Sequence, residues 1–280
     1  MKVGNYELFP IETGRFALDG GAMFGVVPKT LWGKSNPPDE KNRIPMAARA
    51  LLLIGNGRKI LVDVGNGSKF SEKFISIYKI DSSEFSLLKS LKDRGITPDQ
   101  ITDVLLTHLH FDHAGGSTTM VNGVLHPTFP NATYYVQREH WEAALNPTER
   151  DRASFFRDDF IPLQEHGVLQ FTEGESEVFP GVSVRLVHGH TAFLQCPIIS
   201  DGTTTVFYCA DLMPTVSHVQ LPWIMAYDLR PLVTMEEKRS VLADAVEKNW
   251  VLFFEHDAAT AAIRLMRGEK GIVAGETVRL

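Results

Sequence analysis

The stretch THLHFDHAGG, Thr107–Gly116, places three histidines and one aspartate within the six positions from His108 to His113. It follows "ITDVLLTH", which ends at His108 and reads as a short buried strand. His108 and His110 are two residues apart, so in an extended segment their rings point the same way and can grip one ion. Asp112 and His113 come after the chain must turn, and Gly115-Gly116 permit that turn. These two can face a second ion beside the first. Imidazole nitrogen and carboxylate oxygen suit zinc and its divalent neighbours. A polar loop holding histidines by chance is a poor account of this density at the end of an apolar strand.

Working outward, polar residues mark the ends of other apolar strands. "VRLVHGHT" carries His188 and His190, "CAD" carries Asp211, and "FEHD" carries His256. A strand end lets a side chain leave the core and face a shared site while the strand fixes its position. His188 continues the alternation of Val182, Val184 and Leu186 and so belongs to the strand's own face.

Strand and helix patterns alternate along the whole chain. Ala48–Ile54, the turn at Asn56-Gly57 and Lys59–Gly65 read as a hairpin. Ser82–Gly95 reads as a helix, with Phe85, Leu88 and Leu91 at helical spacing. Thr133–Gln137 reads as a strand and "REHWEAAL" as a helix. "CPIIS", the turn "DGTT" and "TVFYCAD" read as a second hairpin. Thr234 and Glu237 have the spacing of a capping box that opens a helix from Met235 to Lys248. Val27–Arg43 and Asn146–Asp159 read as loops on a common body. With no low-complexity linker, residues 1–280 are expected to form one layered α/β domain with mixed sheets.

The chain has 280 residues, 44% of them apolar, enough to bury a core unaided. The formal charge of −6 offers no basic stripe for a nucleic acid. No apolar run reaches membrane-spanning length, and the first residues lack a signal peptide's apolar region. Cys196 and Cys209 lie in apolar stretches and read as buried free thiols, which points to a cytoplasmic protein. His126, His140 and His166 read as surface or satisfied histidines.

The H-x-H-x-D-H segment resembles the signature of the metallo-β-lactamase fold superfamily. "ILVDVG" looks like that family's first motif, with Asp63 as an acid behind the ligands. His190, Asp211 and His256 follow in the family's order. The resemblance implies a four-layer αββα sandwich, two mixed sheets flanked by helices. It also implies two divalent ions, zinc first, with manganese, iron or cobalt as alternatives. His108, His110 and His190 would hold one ion, Asp112, His113 and His256 the other, and Asp211 would bridge them. A metal-bridging hydroxide would attack a carbonyl or phosphoryl centre, with Asp112 or Asp211 shuttling the proton. His188 stays behind the ligand His190. Flavodiiron relatives carry glutamate where this chain has His110, so hydrolysis is favoured over redox chemistry.

Ala210–Pro231 and Asp19–Trp32 look like the corresponding segments of quorum-quenching lactonases of the YtnP type and, more distantly, methyl parathion hydrolases. The resemblance implies opening of lactones or related esters, N-acyl homoserine lactones among them, with phosphotriesters as a side activity. Met23, Phe24, Trp32, Phe111, Phe193 and Trp223 are the candidates for an apolar wall. Acylhomoserine lactonases often place a tyrosine three residues after the bridging aspartate. This chain has Pro214 there, and His218, Tyr227 and Asp228 are the nearby polar candidates. Three rivals stand beside this reading: a phosphodiesterase or nuclease, a thioester hydrolase of the glyoxalase II type, and a non-enzymatic metal-stabilised binding module. The acidic balance speaks against the first, and the absence of a basic C-terminal glutathione-binding region against the second. The third needs only four ligands, fewer than the seven candidates present. A homodimer is expected by analogy.

Overall fold

A computed structural model of the chain describes residues 1–269 and 271–280. The first half supplies nine strands: β1 (Lys2–Val3), β2 (Tyr6–Asp19), β3 (Arg43–Gly55), β4 (Arg58–Val62), β5 (Asp103–Leu105), β6 (Thr118–Val121), β7 (Val124–Pro127), β8 (Thr133–Gln137) and β9 (Leu169–Thr172). Seven of them form one sheet in the order β1-β2-β3-β4-β5-β8-β9, while β6 and β7 pair separately as a small hairpin. The first four run antiparallel, and β4, β5, β8 and β9 run parallel. The second half supplies β10 (Glu177–Phe179), β11 (Val182–Val187), β12 (Leu194–Ser200), β13 (Thr205–Tyr208), β14 (Val251–Phe253), β15 (Ala262–Gly268) and β16 (Gly271–Thr277). These pair in sequence order, with β13 and β14 parallel and the rest antiparallel. Both sheets are therefore mixed, and helices flank them, the architecture expected from the sequence.

Among the described residues, eight α-helices complete the fold: α1 (Gly20–Phe24), α2 (Lys29–Trp32), α3 (Glu72–Tyr78), α4 (Leu87–Asp93), α5 (Phe111–Ala114), α6 (Arg138–Leu145), α7 (Arg157–Glu165) and α8 (Pro231–Glu247). Among the described residues, no helix is long and apolar enough to cross a membrane. The apolar run in β3 is explained by burial on both faces. Leu51 and Leu53 join Val62, Leu105, Val184 and Tyr208 in the core between the sheets. Ala50 and Leu52, on the opposite face, join Leu91 of α4, Trp141 of α6 and Phe160 of α7. Val241, Leu242 and Ala245 bring α8 onto the second sheet. Both cysteines are buried free thiols.

Three local expectations are corrected. The helix expected from Ser82 begins at Leu87, because Ser86 takes the cap and its Oγ accepts from Lys89 N at 3.4 Å. Phe85 lies before it, under the Arg15 guanidinium. The helix expected from Met235 begins at Pro231, where proline's missing N–H costs nothing. Thr234 is thus inside α8, and there is no capping box. The Glu237 carboxylate instead accepts from the backbone N–H groups of His188 (2.7 Å) and Gly189 (3.1 Å). The two expected loops also contain structure: α2 lies in the first, and α7 begins at Arg157 in the second.

Gly115 is required for a reason other than turning. Its φ is −58°, an ordinary helical value. A Cβ there would stand 2.0 Å from Asn66 O, and one on Gly116 would stand 2.3 Å from Val64 O. The backbone after Asp63 lies directly against the backbone after His113, tied by Val64 N donating to His113 O at 2.9 Å. Gly115→Ala must push these segments apart. It should cost about 1–3 kcal/mol of stability and lower the thermal midpoint by several degrees, read by calorimetry. An unchanged midpoint would mean the two segments separate freely.

Candidate metal centre

The two sheets end together at one edge, and the polar strand ends meet there. His108 lies just past β5 and is followed by His110. Asp112 and His113 are on α5, His190 follows β11, Asp211 follows β13 and His256 follows β14. All seven side chains are buried. Ligand atoms of His108, His110, His190 and Asp211 lie within 4.8 Å of one another, and so do those of Asp112, His113 and His256.

Asp211 stands between the two groups. Its Oδ2 is 3.1 Å from His190 Nε2 and 3.9 Å from His108 Nε2. Its Oδ1 is 3.3 Å from His256 Nε2 and 3.6 Å from His113 Nε2. Asp112 Oδ2 adds a contact at 3.6 Å to His256 Nε2 and one at 3.9 Å to His113 Nε2. One carboxylate therefore presents one oxygen to each group.

The outer ring nitrogens of His108, His190, His256 and His113 are held by other partners, whereas His110 Nε2 is buried without one. His108 Nδ1 lies 3.0 Å from Thr107 Oγ1, whose hydroxyl donates to Asp63 Oδ2 at 2.7 Å. Asp63, at a φ of 55°, also accepts from Thr107 N. His190 Nδ1 lies 2.9 Å from Asp228 Oδ1, and His256 Nδ1 lies 2.9 Å from Ala47 O. His113 Nδ1 lies 3.1 Å from Asp63 Oδ2 and 2.9 Å from Glu255 Oε2. Such partners fix the tautomer and turn the other nitrogen inward, the usual support for a metal-ligating histidine.

The inner atoms fit a pair of divalent cations. His110 Nδ1 lies 3.1 Å from His108 Nε2 and 3.2 Å from His190 Nε2. A tetrahedral ion with ordinary zinc–nitrogen bonds holds its nitrogens roughly 3.3 Å apart. Asp211 Oδ1 is buried without a hydrogen-bond partner. Burial first, then the neighbouring imidazoles, hold His108 and His110 well below the usual histidine range, in the neutral form that ligates. Burial also works against a proton on His190, but Asp211 and Asp228 outweigh it and bring that imidazole to about 10. His113 is raised in the same way by Glu255, Asp211 and Asp112. A divalent cation held here would take the place of these protons.

Glu255 and His140 complete the framework, and composition gave no sign of either role. The Glu255 carboxyl is fully buried, and burial is the main cause that pushes it up to about 8. His140 accepts from Leu109 N at 2.9 Å and lies 2.7 Å from Ala192 O, tying the His108–His110 segment to the loop after His190. It is a satisfied histidine, as expected. His126 and His166 lie away from the site, their rings 5.1 Å apart.

A cavity of about 270 Å³ opens onto the centre. His110, Asp112, His190, Asp211 and His256 line it on the metal side, and Leu18, Met23, Met46, Phe111 and Met225 supply apolar wall. Tyr78, Tyr227, Arg150, Asp151 and Ser154 line it too. Of the residues proposed for substrate contact, Met23, Phe111 and Tyr227 are there. The others are engaged elsewhere. Phe24 stacks on Trp32 and His218 and meets Trp223 edge-on, so these four form packing behind the wall. His218 is held by Met23 O and Thr215 Oγ1, both at 2.8 Å. Phe193, at a φ of 55°, packs edge-on against His188, and its N–H donates to His188 Nδ1. Asp228 is spent on His190. The insert residues Arg150, Asp151 and Ser154 were missed because nothing local in a charged loop says which way it folds.

Comparison with known proteins agrees with this geometry. The family model for the metallo-beta-lactamase superfamily matches residues 44–256. An N-acyl homoserine lactonase of Bacillus thuringiensis is 33% identical over 141 residues, 47% of this chain and 50% of that protein. The chain thus spans about half the length of the curated relatives it matches. A probable metal-dependent hydrolase from Staphylococcus aureus superimposes with a TM-score of 0.89 at 28% identity, covering 100% of both chains. An N-acyl homoserine lactone hydrolase, solved with N-hexanoyl-L-homoserine at its catalytic metal centre, gives 0.70 at 25% identity over 92% of this chain and 95% of that one. The matched span opens in β3 and closes on His256, enclosing every residue of the two donor groups, and the chain belongs to the metallo-beta-lactamase superfamily.

Proposed function

We propose that the protein hydrolyses lactones or related carboxylic esters, N-acyl homoserine lactones among them, at a centre of two divalent ions, zinc in the first place. The observation that carries this reading is the Asp211 carboxylate, shared between two imidazole groups beneath a half-apolar cavity. His108, His110 and His190 would hold one ion and Asp112, His113 and His256 the other, with Asp211 between them. When bound, such a pair supplies Lewis acidity toward an acyl oxygen and a water acidified toward neutral pH.

The chain's own residues do the rest. Leu18, Met23, Met46, Met225 and Phe111 give an acyl chain an apolar surface and direct its carbonyl toward the donor groups. Hydrolysis joins the water oxygen to the acyl carbon, breaks the carbon–oxygen bond of the ester and leaves a proton on the departing oxygen. Asp112 and Asp211 both line the cavity and are placed to carry that proton. The known activities of the relatives support this reading, as does a formal charge of −6, which favours a neutral small molecule over a nucleic acid. The two buried free thiols support a cytoplasmic location. Residues 1–280 are taken as one domain, and a homodimer is part of the same proposal, to be read by light scattering.

A hydrolysis screen of the metal-loaded protein tests the reaction class. Acylhomoserine lactones, simple γ- and δ-lactones and aryl esters should turn over well ahead of a phosphotriester and a phosphodiester. Strong phosphodiester turnover with inert lactones would overturn the proposal. His256→Ala should reduce the bound metal from two ions per chain toward one and lower turnover by about a hundredfold or more. A variant that keeps two ions and near-normal turnover removes His256 from the scheme. Chelation should abolish activity and lower the melting temperature, and added zinc should restore both, since an ion held at a thousand times its Kd stabilises by about 4 kcal/mol. One tightly held, non-exchanging ion would instead favour the binding module.

A further inference from the structure

Glu237 and Lys238 stand side by side on α8, and each grips a different part of the chain around His190. The Glu237 carboxylate holds the N–H groups of His188 and Gly189. A Cβ on Gly189 would stand 2.2 Å from Thr234 Oγ1, so α8 lies directly against the residue before His190. Lys238 is fully buried. Its Nζ donates to Trp223 O at 2.7 Å, Gln220 O at 3.1 Å and Leu221 O at 3.3 Å. Three carbonyls take the three N–H groups of an ammonium. Packing alone would be served as well by a methionine, without the cost of burying a charge. The carboxylate whose charge reaches Lys238 is Asp228, and Asp228 is bound to His190 instead. What the ammonium serves is the stretch from Gln220 to Arg230, which belongs to no helix or strand. Buried carbonyls outside regular structure need donors from elsewhere. That stretch carries Met225 to the cavity wall and Asp228 to His190.

We infer that Lys238 is a positioning residue for the metal centre: it anchors the stretch that sets Asp228 against His190, and so governs how firmly the three-histidine group holds its ion. This deepens the two-ion reading above and rests on it. The links run from Lys238 to the histidine without a gap. Trp223 N donates to Gln220 O at 2.9 Å, which closes the turn whose carbonyls Lys238 binds. Ala226 N donates to Ala22 O at 2.8 Å, and Asp228 N donates to Met225 O at 3.3 Å. Beyond Asp228, Leu229 N donates to His190 O at 3.1 Å and Arg230 N to Gly189 O at 2.8 Å. Lys238 therefore fixes the entry into this stretch, and the carbonyls beside the histidine fix its exit. Glu237 holds the backbone of the histidine, and Lys238 holds the backbone of its carboxylate partner. One helix thus sets both ends of the 2.9 Å contact between His190 Nδ1 and Asp228 Oδ1. A ligating histidine owes its tautomer and ring direction to such a partner. The His218 imidazole also faces this region, and burial first, then the charge of Lys238, keep it neutral, so no second cation competes for the carbonyls.

The test compares Lys238→Met, which removes all three donors at similar volume, with Lys238→Gln, which keeps an amide N–H pair. Leu242→Ala, an apolar loss on the same helix, is the control for lowered stability alone. Zinc affinities are read by competition with a coloured chelator at a pH of about 6. Burial lowers Lys238 to about 7, so at that pH the wild type holds all three bonds. The expected result for Lys238→Met is one ion bound about tenfold more weakly and the other as in the wild type. Lys238→Gln should fall between, and Leu242→Ala should hold both ions as the wild type does. Asp228→Asn should weaken the same ion, and adding Lys238→Met to it should weaken that ion no further, because the two act along one path. In the metal-free protein, the His190 ring N–H bound to Asp228 should give a slowly exchanging proton resonance. It should vanish in Asp228→Asn and exchange faster in both Lys238 variants. Unchanged zinc affinity in the Lys238 variants overturns the inference. So do additive losses with Asp228→Asn, and so does an equal loss in Leu242→Ala, which would make the effect one of stability. If Lys238→Met does not fold, Lys238→Gln carries both measurements. If the wild type binds no zinc, the two-ion reading fails, and the proton resonance still decides whether Lys238 positions the histidine pair.

Discussion

Seven ionisable side chains are buried together at one edge of the sandwich, and none of them is a neutral core residue by nature. Such a group is tolerable only if most outward-facing atoms have partners and the inward-facing atoms share others. The outward partners are Thr107, Asp63 and Glu255, which follow strand ends, Asp228 in the stretch before α8, and Ala47 O within β3. The inward partner common to both groups is the Asp211 carboxylate. Much of the remaining architecture serves this arrangement. Two mixed sheets end at the same edge, the backbones at Asn66 and Gly115 touch, and Glu237 on α8 holds the His188–Gly189 turn.

The histidine segment, the alternating strands and the hairpin at Asn56-Gly57 were legible because their information is local. A two-residue period places a side chain on a face whatever the rest of the chain does. The same reasoning failed where a local pattern met a tertiary competitor. Thr234 and Glu237 have a cap's spacing, but Pro231 starts the helix a turn earlier, and Glu237 gains more from two backbone donors across the loop. Phe24, Trp32 and Trp223 look like pocket aromatics in sequence, yet they pack on one another behind the wall. Gly115 looks like a turn residue, yet its φ is ordinary and its lack of a side chain lets another backbone come close. Glu255 stood beside His256 in plain view, but only the fold brings it to His113.

The insert between α6 and α7 shows the limit most clearly. Its charged composition reads as a solvated loop, and part of it is one. Phe155 nevertheless packs on His110 with ring centroids 4.6 Å apart, and Arg150 reaches the carbonyl beside Tyr227. The segment is thus a wall of the cavity, set by contacts to residues far away in sequence. Loops of this kind adapt a shared scaffold to different substrates, because they change without disturbing the strands beneath.

The distances along the chain have a kinetic consequence. His110 and His190 are 80 residues apart, and His113 and His256 are 143 apart. Before the sheets meet, only the His108–His113 segment can offer neighbouring donors. The complete centre exists only after both sheets are built and the longest loops are closed, the steps that come late in a chain of high contact order. Ions held there would act on the rate at which the native state opens, with little leverage over the rate at which it forms. Bound metal would make this protein persist more than it would help it fold.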